Sequence, residues 1–182
     1  GRRIQFGWGR DIDHGGKMPF GQLMLFPTEL TLKSTRNGVR LFNNPIEEID
    51  KLYKKSHRWT NLDKATANEK LKTVEGDLFH VKMKIKIIDG TSFQFLWSGN
   101  SLVNYDMNTN KINNNFYPSD NTETGGIELA LIIDKTSLEI FVDKGAFTVV
   151  ESLPDAKNQA GLQFDARWNP IEIKYLEVHE LK

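Results

Sequence analysis

Apolar and polar side chains alternate with a period of two along much of the chain. The clearest stretch is VKMKIKIIDG, residues 81–90, in which Val81, Met83, Ile85 and Ile87 alternate with lysines. Neighbouring side chains of a strand point to opposite faces, so this stretch predicts a β-strand with one buried and one solvated face.

Two segments predict β-hairpins. Residues 30–42 carry Asn37 and Gly38 between two short apolar runs, and this dipeptide is a strong short-range signal for a hairpin turn. Residues 127–145 contain two apolar runs on either side of an Asp-Lys pair, and they predict a second hairpin.

The two ends of the chain also have the periodicity of strands. In residues 171–181 the apolar alternation changes phase near Tyr175, which indicates a β-bulge. At the start of the chain, Ile4, Phe6 and Trp8 alternate with glutamine and glycine. A strand needs neighbours, so we expect the chain to be a piece of a longer protein. Residues 2–20 are then expected to be disordered, folded back on the sandwich or paired between chains.

One segment, residues 43–55, has the periodicity of a helix. Asn44 can cap a helix, Pro45 suits its first turn and Glu47 completes a capping box. Apolar residues then recur at helical spacing, and two lysines complement the dipole at the end. We therefore predict one short connecting helix here.

The combined pattern predicts an all-β protein. Many short strands at a spacing of roughly 8–12 residues, with a single short helix, are typical of a sandwich of two antiparallel sheets. Residues 108–126 are rich in Asn, Thr and Gly, and they predict a long exposed loop.

The composition argues against several classes of binding partner and against cysteine-based chemistry. The 182 residues are 38% apolar and 26% charged, as in an ordinary globular domain. Twenty-four basic residues balance 24 acidic ones, so no net charge attracts nucleic acid. No apolar run approaches the roughly 20 residues that span a bilayer. The chain has no cysteine, which removes disulfides, thiolate nucleophiles and cysteine metal sites.

Four segments occur in a specific order. RIQFGWGR is followed by GKMPFGQLMLFPTELTL, then by GVRLFNNPIEEIDKLY and, further on, by IIDKTSLEIFVDKG. This series resembles the end of the catalytic β-propeller, the linker and the C-terminal sandwich of glycoside hydrolase family 32, which includes levanases, inulinases and invertases. The positions that match the family motifs are Gly7, Trp8, Pro27, Glu29, Leu30, Asp134, Ser137, Glu139, Phe141 and Gly145.

The resemblance implies a domain organisation. Residues 1–42 would be the remnant of the last propeller blade with its hairpin, residues 43–58 a helical linker, and residues 59–182 a jelly-roll or concanavalin-like C-terminal sandwich. The partner of this chain would then be the catalytic β-propeller of the same parent protein.

The catalytic residues of the family have no counterpart here. Family members hydrolyse fructosyl bonds with retention, using an aspartate in an Asn-Asp-Pro motif, an Arg-Asp-Pro segment and a glutamate followed by cysteine. Retention needs two carboxyl groups about 5–5.5 Å apart. This chain has no Asn-Asp-Pro and no cysteine, and its Arg10-Asp11 pair is followed by Ile12. We therefore predict no catalytic residue and no cofactor.

Four aromatic residues are candidates for sugar binding. The resemblance places Trp8 on an inner blade strand that contributes to the fructose pocket of the parent enzyme, with a packed blade core as the alternative. Phe93, Phe95 and Trp97 share one face of a predicted strand. Such a row forms either a sugar-stacking platform or part of the core, and we favour the core.

Other polar candidates have simpler interpretations. Asp11, Asp13 and His14 offer three ligand types within four residues, but a solvated loop is favoured over a metal site. Glu139 lies in a matched motif and could be an acid or base. In a strand that alternates with apolar residues, it is expected instead to face water or to pair across the sheet.

The favoured function is that of a non-catalytic sandwich that stabilises the propeller of an extracellular or periplasmic fructan-hydrolysing enzyme, as the resemblance implies. Two alternatives remain open. The first is a fructan-binding module that uses exposed aromatic residues. The second is an oligomerisation module that shapes access to the active site, with the exposed blade strand as the candidate contact between copies.

Overall fold

The structure is a computed structural model that describes residues 1–9, 12, 18–19, 22–86, 92–117, 125–166 and 170–182. Its strands are β1 (Ile4–Gln5), β2 (Trp8–Gly9), β3 (Leu23–Met24), β4 (Thr28–Thr35), β5 (Gly38–Pro45), β6 (Tyr53–Leu62), β7 (Phe79–Lys86), β8 (Ser92–Trp97), β9 (Asn100–Asp106), β10 (Lys111–Ile112), β11 (Asn115–Phe116), β12 (Gly126–Ile133), β13 (Ser137–Val142), β14 (Phe147–Ser152), β15 (Leu162–Asp165) and β16 (Glu172–Leu181). The helices are a 3-10 helix (Glu47–Leu52) and α1 (Lys64–Leu71).

Two antiparallel sheets form a sandwich. The six-stranded sheet has the order β14-β13-β12-β7-β16-β6, and the five-stranded sheet has the order β11-β10-β9-β8-β15. One core contains side chains of both sheets, including Met83 and Leu131 from the first and Phe95 and Val103 from the second, all fully buried. The predicted all-β sandwich is confirmed.

Strand β7 has the two faces that its sequence predicts. Val81, Met83 and Ile85 are 0% exposed within the core, whereas the lysines between them remain partly exposed. Ile87 lies outside the described residues. The neighbouring strands β12 and β13 pair with each other in an antiparallel hairpin, as predicted for residues 127–145.

Strand β16 contains the predicted bulge. Ile173 pairs with Ile85 of β7, but Tyr175 pairs with the adjacent Lys84, so β16 holds one extra residue between the two pairs. The bulge reverses the parity of the side chains, and Leu176 then lies in the core where unbroken alternation would turn it outward.

Strands β1 to β5 form two small sheets, with the orders β1-β4-β5 and β2-β3. Strands β4 and β5 form the predicted hairpin, in which Gly38 takes a φ of +90°. The opening strand, which was expected to be disordered, folded back on the sandwich or paired between chains, pairs instead with strands of its own N-terminal segment. Ile4 pairs with Glu29, and Trp8 pairs with Met24, so the strand finds partners within its own chain.

The helix predicted over residues 43–55 was wrong in type and extent. Asn44 and Pro45, which were expected to begin it, belong to β5 and pair with β4. A 3-10 helix follows at Glu47–Leu52, and the extended residue Ile46 before it makes no capping side-chain hydrogen bond. Pairing with a distant strand therefore overrides the local helix signals.

Helix α1 was missed by the sequence analysis. Asp63 caps it, because its Oδ1 accepts a 2.7 Å hydrogen bond from the backbone N–H of Thr66. Only Ala67 and Leu71 of this short helix are buried, which leaves no repeating apolar stripe to detect. Asn68 pairs with both backbone groups of Phe164, at 2.7 and 2.9 Å, and so covers the outer side of edge strand β15.

The long loop predicted over residues 108–126 is only partly correct. Strands β10 and β11 lie within it and pair with each other. Ile112 is 0% exposed and Tyr117 is 4% exposed, so both are part of the core. Residues 118–124 lie outside the described residues.

Candidate functional site

The outer face of the six-stranded sheet is covered by other parts of the same chain. Ile132 and Phe141 project from this face, and Ile49 of the 3-10 helix packs against them with 2% of its surface exposed. Phe26, from the segment before β4, joins the same cluster. We call the area defined by these four residues the docking face, because two segments outside the sandwich are held there.

Glu139 fixes the first of these segments. It lies opposite Ile132 on the docking face and is only 6% exposed. Its Oε1 accepts a 2.8 Å hydrogen bond from the backbone N–H of Phe26. The interpretation of Glu139 as a solvated or cross-strand-paired residue was therefore wrong. Burial raises the pKa of Glu139 to about 7, although the hydrogen bond from Phe26 acts in the opposite direction.

Gly145 fixes the second segment. It lies in the turn after β13 with a φ of +78°, and its carbonyl accepts a 2.9 Å hydrogen bond from the backbone N–H of Asn43 in β5. A Cβ built on Gly145 would overlap the carbonyl group of Asn43. Only glycine allows β5 to approach this closely, which gives a physical reason for glycine in the matched motif.

The other N-terminal motif residues connect β1, β4 and the linker. The carbonyl of Pro27 accepts a 3.1 Å hydrogen bond from Ile46 N–H, and Leu30 N–H donates to the carbonyl of Arg3 at 2.8 Å. Glu29 forms an exposed 2.8 Å ion pair with Arg2. These contacts hold the three-stranded sheet of β1, β4 and β5 to the linker.

The remaining motif residues shape local turns and contacts. Asp134 accepts a 2.7 Å hydrogen bond from Lys135 N–H through its Oδ1 and donates from its own N–H to the carbonyl of Ser137 at 2.9 Å. Ser137 is buried in the hairpin. Gly7 lies against Leu25, whose N–H donates to the Gly7 carbonyl at 3.0 Å.

The predicted aromatic row lies mainly inside the sandwich. Phe93 is 2% exposed and Phe95 is 0% exposed, and both rings contact Phe164 of β15. Trp97 is partly buried against the same core. Buried rings present no face on which a sugar could stack, so their placement agrees with the core interpretation that we favoured.

Trp8 and the β4–β5 hairpin expose apolar surface. Trp8 is 59% exposed. Leu32 lies opposite Leu41, and with Val39 they share one side of the hairpin. We call these three residues the hairpin face; their exposed fractions are 72% for Leu32, 53% for Leu41 and 66% for Val39. Adjacent exposed apolar residues of this kind make the hairpin face a candidate interaction surface.

A cavity of about 380 Å³ lies where the linker crosses the outer face of the six-stranded sheet. Its lining includes Asp50, His80, Lys82, Glu128, Phe141 and Tyr175. Sequence analysis gave His80 no role, because a lone histidine in an alternating strand carries no sign of what covers it.

Several candidates lie outside the described residues, namely Arg10, Asp11, Asp13 and His14. Among the residues that the structure does describe, no group of three or more His, Asp or Glu side chains converges as a metal site would. Within the same part of the chain, neither helix has the length and apolar character needed to cross a bilayer.

Comparison with known proteins identifies the family. The family description "Glycosyl hydrolases family 32 C terminal" matches residues 48–179. The chain belongs to this family. The matched range contains the sandwich and the docking-face residues Ile49, Ile132 and Phe141, so this family 32 domain carries the sheet against which the linker packs.

The similarity to two known proteins covers the whole chain and not only the family 32 domain. The levanase of Bacillus subtilis (strain 168) is 26% identical over 208 residues, which covers 100% of this chain but 31% of that protein. A levanase of Bacillus sp. (strain L7) is 24% identical, with 100% of this chain and 23% of that protein covered. The chain thus spans less than a third of the curated relatives that it matches.

Solved structures share the fold. The exo-inulinase of Aspergillus awamori superposes with a TM-score of 0.72 over 98% of this chain and 40% of its own, at 16% identity. The fructan 1-exohydrolase IIa of Cichorium intybus gives a TM-score of 0.67 over 100% of this chain and 45% of its own, at 15% identity. At this identity, the similarity shows the fold alone.

Proposed function

We propose that this chain supports the catalytic domain of a fructan-hydrolysing enzyme and carries no catalytic residue of its own. The observation that supports this role is the docking face. There the Glu139 carboxylate and the Gly145 carbonyl hold segments from outside the sandwich through backbone hydrogen bonds. Such contacts position a neighbouring part of the protein.

The parent enzyme would be a levanase-like or inulinase-like protein that acts with retention on fructosyl bonds. Its relatives are named levanases, and similar folds are named exo-inulinase and fructan 1-exohydrolase. The partner of this chain would be the catalytic β-propeller, and the enzyme would work outside the cytoplasm, where fructan polymers are available. In this proposal Trp8 contributes to the fructose pocket of the assembled propeller.

The hairpin face supports this arrangement. Leu32, Val39 and Leu41 are more than half exposed in this chain, and transfer of such side chains from water into a contact contributes about 1–2 kcal/mol each. In the full-length enzyme, this surface would be covered by the rest of the propeller. The small sheet would then be the last part of a blade, fixed to the sandwich through Glu139 and Gly145.

A second candidate function rests on the same exposed residues. Trp8 and the hairpin face could contact a second copy of the chain, which would make the module one of oligomerisation. Sedimentation analysis of the full-length enzyme separates the two cases. If the propeller covers the hairpin face, substitution of Leu32 should leave the oligomeric state unchanged, whereas an oligomerisation surface would lose its dimer.

The direct test compares one substitution in the isolated chain and in the full-length enzyme. Leu32→Thr is expected to leave the unfolding midpoint of the isolated chain nearly unchanged, because Leu32 is 72% exposed there. In the full-length enzyme, the same change should accelerate thermal inactivation without altering the KM for levan. Val150→Thr, at an exposed position of the sandwich, is the control. Equal effects of Leu32→Thr in both contexts would contradict a supporting role.

A second test addresses catalysis and binding by the isolated chain. Affinity electrophoresis in gels containing levan or inulin, with a parallel assay of fructose release, is expected to show neither retardation nor release. Release of fructose would overturn the non-catalytic assignment. Retardation without release would establish the alternative function, a fructan-binding module.

A further inference from the structure

The tip of the β4–β5 hairpin carries a chemically reactive dipeptide. Asn37 and Gly38 form the only Asn-Gly pair in the sequence. Strand β4 ends at Thr35 and β5 begins at Gly38, so Asn37 lies in the two-residue turn between them. Both residues of the pair are exposed, and a Cβ built on Gly38 would meet no atom within 4 Å. The turn is therefore open to water and has room for small backbone movements.

An asparagine followed by glycine loses its side-chain amide more easily than other asparagines. The backbone nitrogen of the following residue attacks Cγ of the asparagine and closes a succinimide ring. Glycine has no Cβ to obstruct this approach, and it rotates freely about φ, which is +90° at Gly38. This reactivity is one reason why asparagine is counted among the thermolabile residues.

The bond changes balance with water as the only co-reactant. A bond forms between the Gly38 nitrogen and Cγ of Asn37, and the bond from Cγ to Nδ2 breaks. Ammonia leaves with the proton that the Gly38 nitrogen loses. Water then opens the succinimide at one of its two carbonyls. One opening gives aspartate, and the other gives isoaspartate, in which the main chain runs through the former side chain.

The hydrogen bonds of the turn leave this chemistry possible. The Thr35 hydroxyl accepts a 3.2 Å hydrogen bond from Asn37 N–H and donates one of 2.8 Å to the Gly38 carbonyl. Neither bond occupies the two reacting atoms, which are Cγ of Asn37 and the nitrogen of Gly38. Gly38 pairs with Thr35 in the last pair of the β4–β5 ladder, and the ends of strands open most readily.

Positive charge around the turn favours the reaction. Arg36 precedes Asn37, and Lys33 lies opposite Arg40 two pairs further along the ladder. All three basic side chains are exposed. They favour the amide anion that attacks and the carboxylate that forms. The like charges of Lys33 and Arg40 face each other across the strands, so a carboxylate nearby also reduces their repulsion.

We propose that Asn37 is a site of spontaneous deamidation in the folded chain, through a succinimide formed with the Gly38 nitrogen, and that isoaspartate at this position loosens the hairpin. Isoaspartate adds one atom to the main chain of the turn. The pairs Thr35–Gly38 and Ser34–Val39 then no longer fit the same register. This inference does not depend on the proposed supporting function, because the reaction needs only this chain and water.

The test incubates the purified 182-residue chain without denaturant, at neutral and at mildly alkaline pH, and follows each asparagine by peptide mapping with mass spectrometry. We expect Asn37 to convert over days, and faster at the higher pH, because the attacking nitrogen has to lose its proton. Enzymatic methylation of isoaspartate distinguishes the two products. Asn110 is the internal control: it is exposed in a turn with a φ of +50°, but Lys111 follows it, and it should keep its amide.

Three variants test the mechanism and the structural effect. Gly38→Ala should slow the conversion about tenfold, because a Cβ then obstructs ring closure. Asn37→Gln should stop it, since glutamine would have to close a larger ring. Asn37→Asp carries the charge of the product on a normal main chain. Hydrogen exchange of the β5 amides should therefore increase in the isoaspartate form and not in Asn37→Asp. Circular dichroism establishes that each variant is folded.

Conversion at Asn37 that exceeds conversion at Asn110 and slows in Gly38→Ala supports the site. Retention of the Asn37 amide in the folded chain would overturn it, as would equal conversion of the two asparagines or an unchanged rate in Gly38→Ala. Unaltered hydrogen exchange in the isoaspartate form would overturn the loosening of the hairpin. Each of these negative results leaves the supporting function intact, since that function is tested through Leu32 in the full-length enzyme.

Discussion

Gly145→Ala is expected to release β5 from the docking face. Gly145 has a φ of +78°, and its carbonyl accepts the hydrogen bond from Asn43 N–H. A Cβ at this position would overlap the carbonyl of Asn43 and lie 2.9 Å from its backbone nitrogen. Because both neighbours are backbone atoms, no side-chain rotation can relieve the overlap, and β5 has to move.

Several costs add up in this variant. Alanine in a left-handed conformation costs about 1–2 kcal/mol, because its Cβ approaches the following carbonyl oxygen. Displacing Asn43 removes a hydrogen bond worth about 1 kcal/mol, and the forced shift of packed backbone adds about 1–3 kcal/mol. The free energy of unfolding should therefore fall by about 3–6 kcal/mol.

Gly38→Ala is the matched control. Gly38 also has a positive φ, of +90°, but a Cβ there meets no atom within 4 Å. Its substitution isolates the conformational cost, about 1–2 kcal/mol. The difference between the two variants then measures the contact between β5 and the turn after β13.

Urea unfolding followed by circular dichroism measures both variants. With an m value of about 2–3 kcal/mol/M, the midpoint of Gly145→Ala should fall about 1 M further than that of Gly38→Ala. Hydrogen exchange gives a local check, since the Asn43 amide should lose protection only in Gly145→Ala. Equal losses in the two variants, or a protected Asn43 amide in both, would refute the close-approach argument.

Three further predictions concern other buried groups. Glu139→Gln keeps an acceptor but no charge. Because the folded pKa of Glu139 is raised to about 7, the unaltered chain loses stability as the pH rises from about 4.5 to 7, where the buried carboxyl ionises. In urea unfolding over that range, the free energy of unfolding of Glu139→Gln should rise by up to about 3 kcal/mol relative to the unaltered chain. A difference between the two chains that does not depend on pH would contradict this. Asn68→Ala leaves both backbone groups of Phe164 unpaired, so unfolding should cost about 2–4 kcal/mol less, whereas exposed Glu69→Ala should change little. Phe95→Ala should lose about 3–5 kcal/mol in urea unfolding with unchanged electrophoretic mobility in levan gels; altered mobility without lost stability would indicate sugar stacking.

Most of the sandwich follows from local sequence because strand periodicity is a local property. Alternation in β7 specifies its buried face, and the phase change near Tyr175 specifies the bulge, since an added residue has to reverse the parity. The hairpin turn at Asn37 and Gly38 is local as well. These elements need no knowledge of the remaining chain.

The linker could not be predicted in the same way. Its helix signals at Asn44 and Pro45 are genuine local preferences, but both residues are drawn into the strand pairing with β4. Whether the helix or the strand forms here depends on the partner strand β4, which begins at Thr28, 17 residues before Pro45. A local capping signal is worth about 1 kcal/mol, which is less than a full ladder of strand pairing supplies.

The outer face of the six-stranded sheet shows what alternation leaves undetermined. The pattern correctly turns Glu139, His80 and His179 away from the core, but it does not say whether water or another layer of protein lies outside. A covering layer obliges each buried polar group to find a partner. Glu139 meets Phe26 N–H, and His179 meets Ser56 at 2.8 Å. His80 satisfies only Nδ1. The unpaired Nε2 of His80 is therefore a local cost of covering this face, and alternation along the strand could not have indicated it.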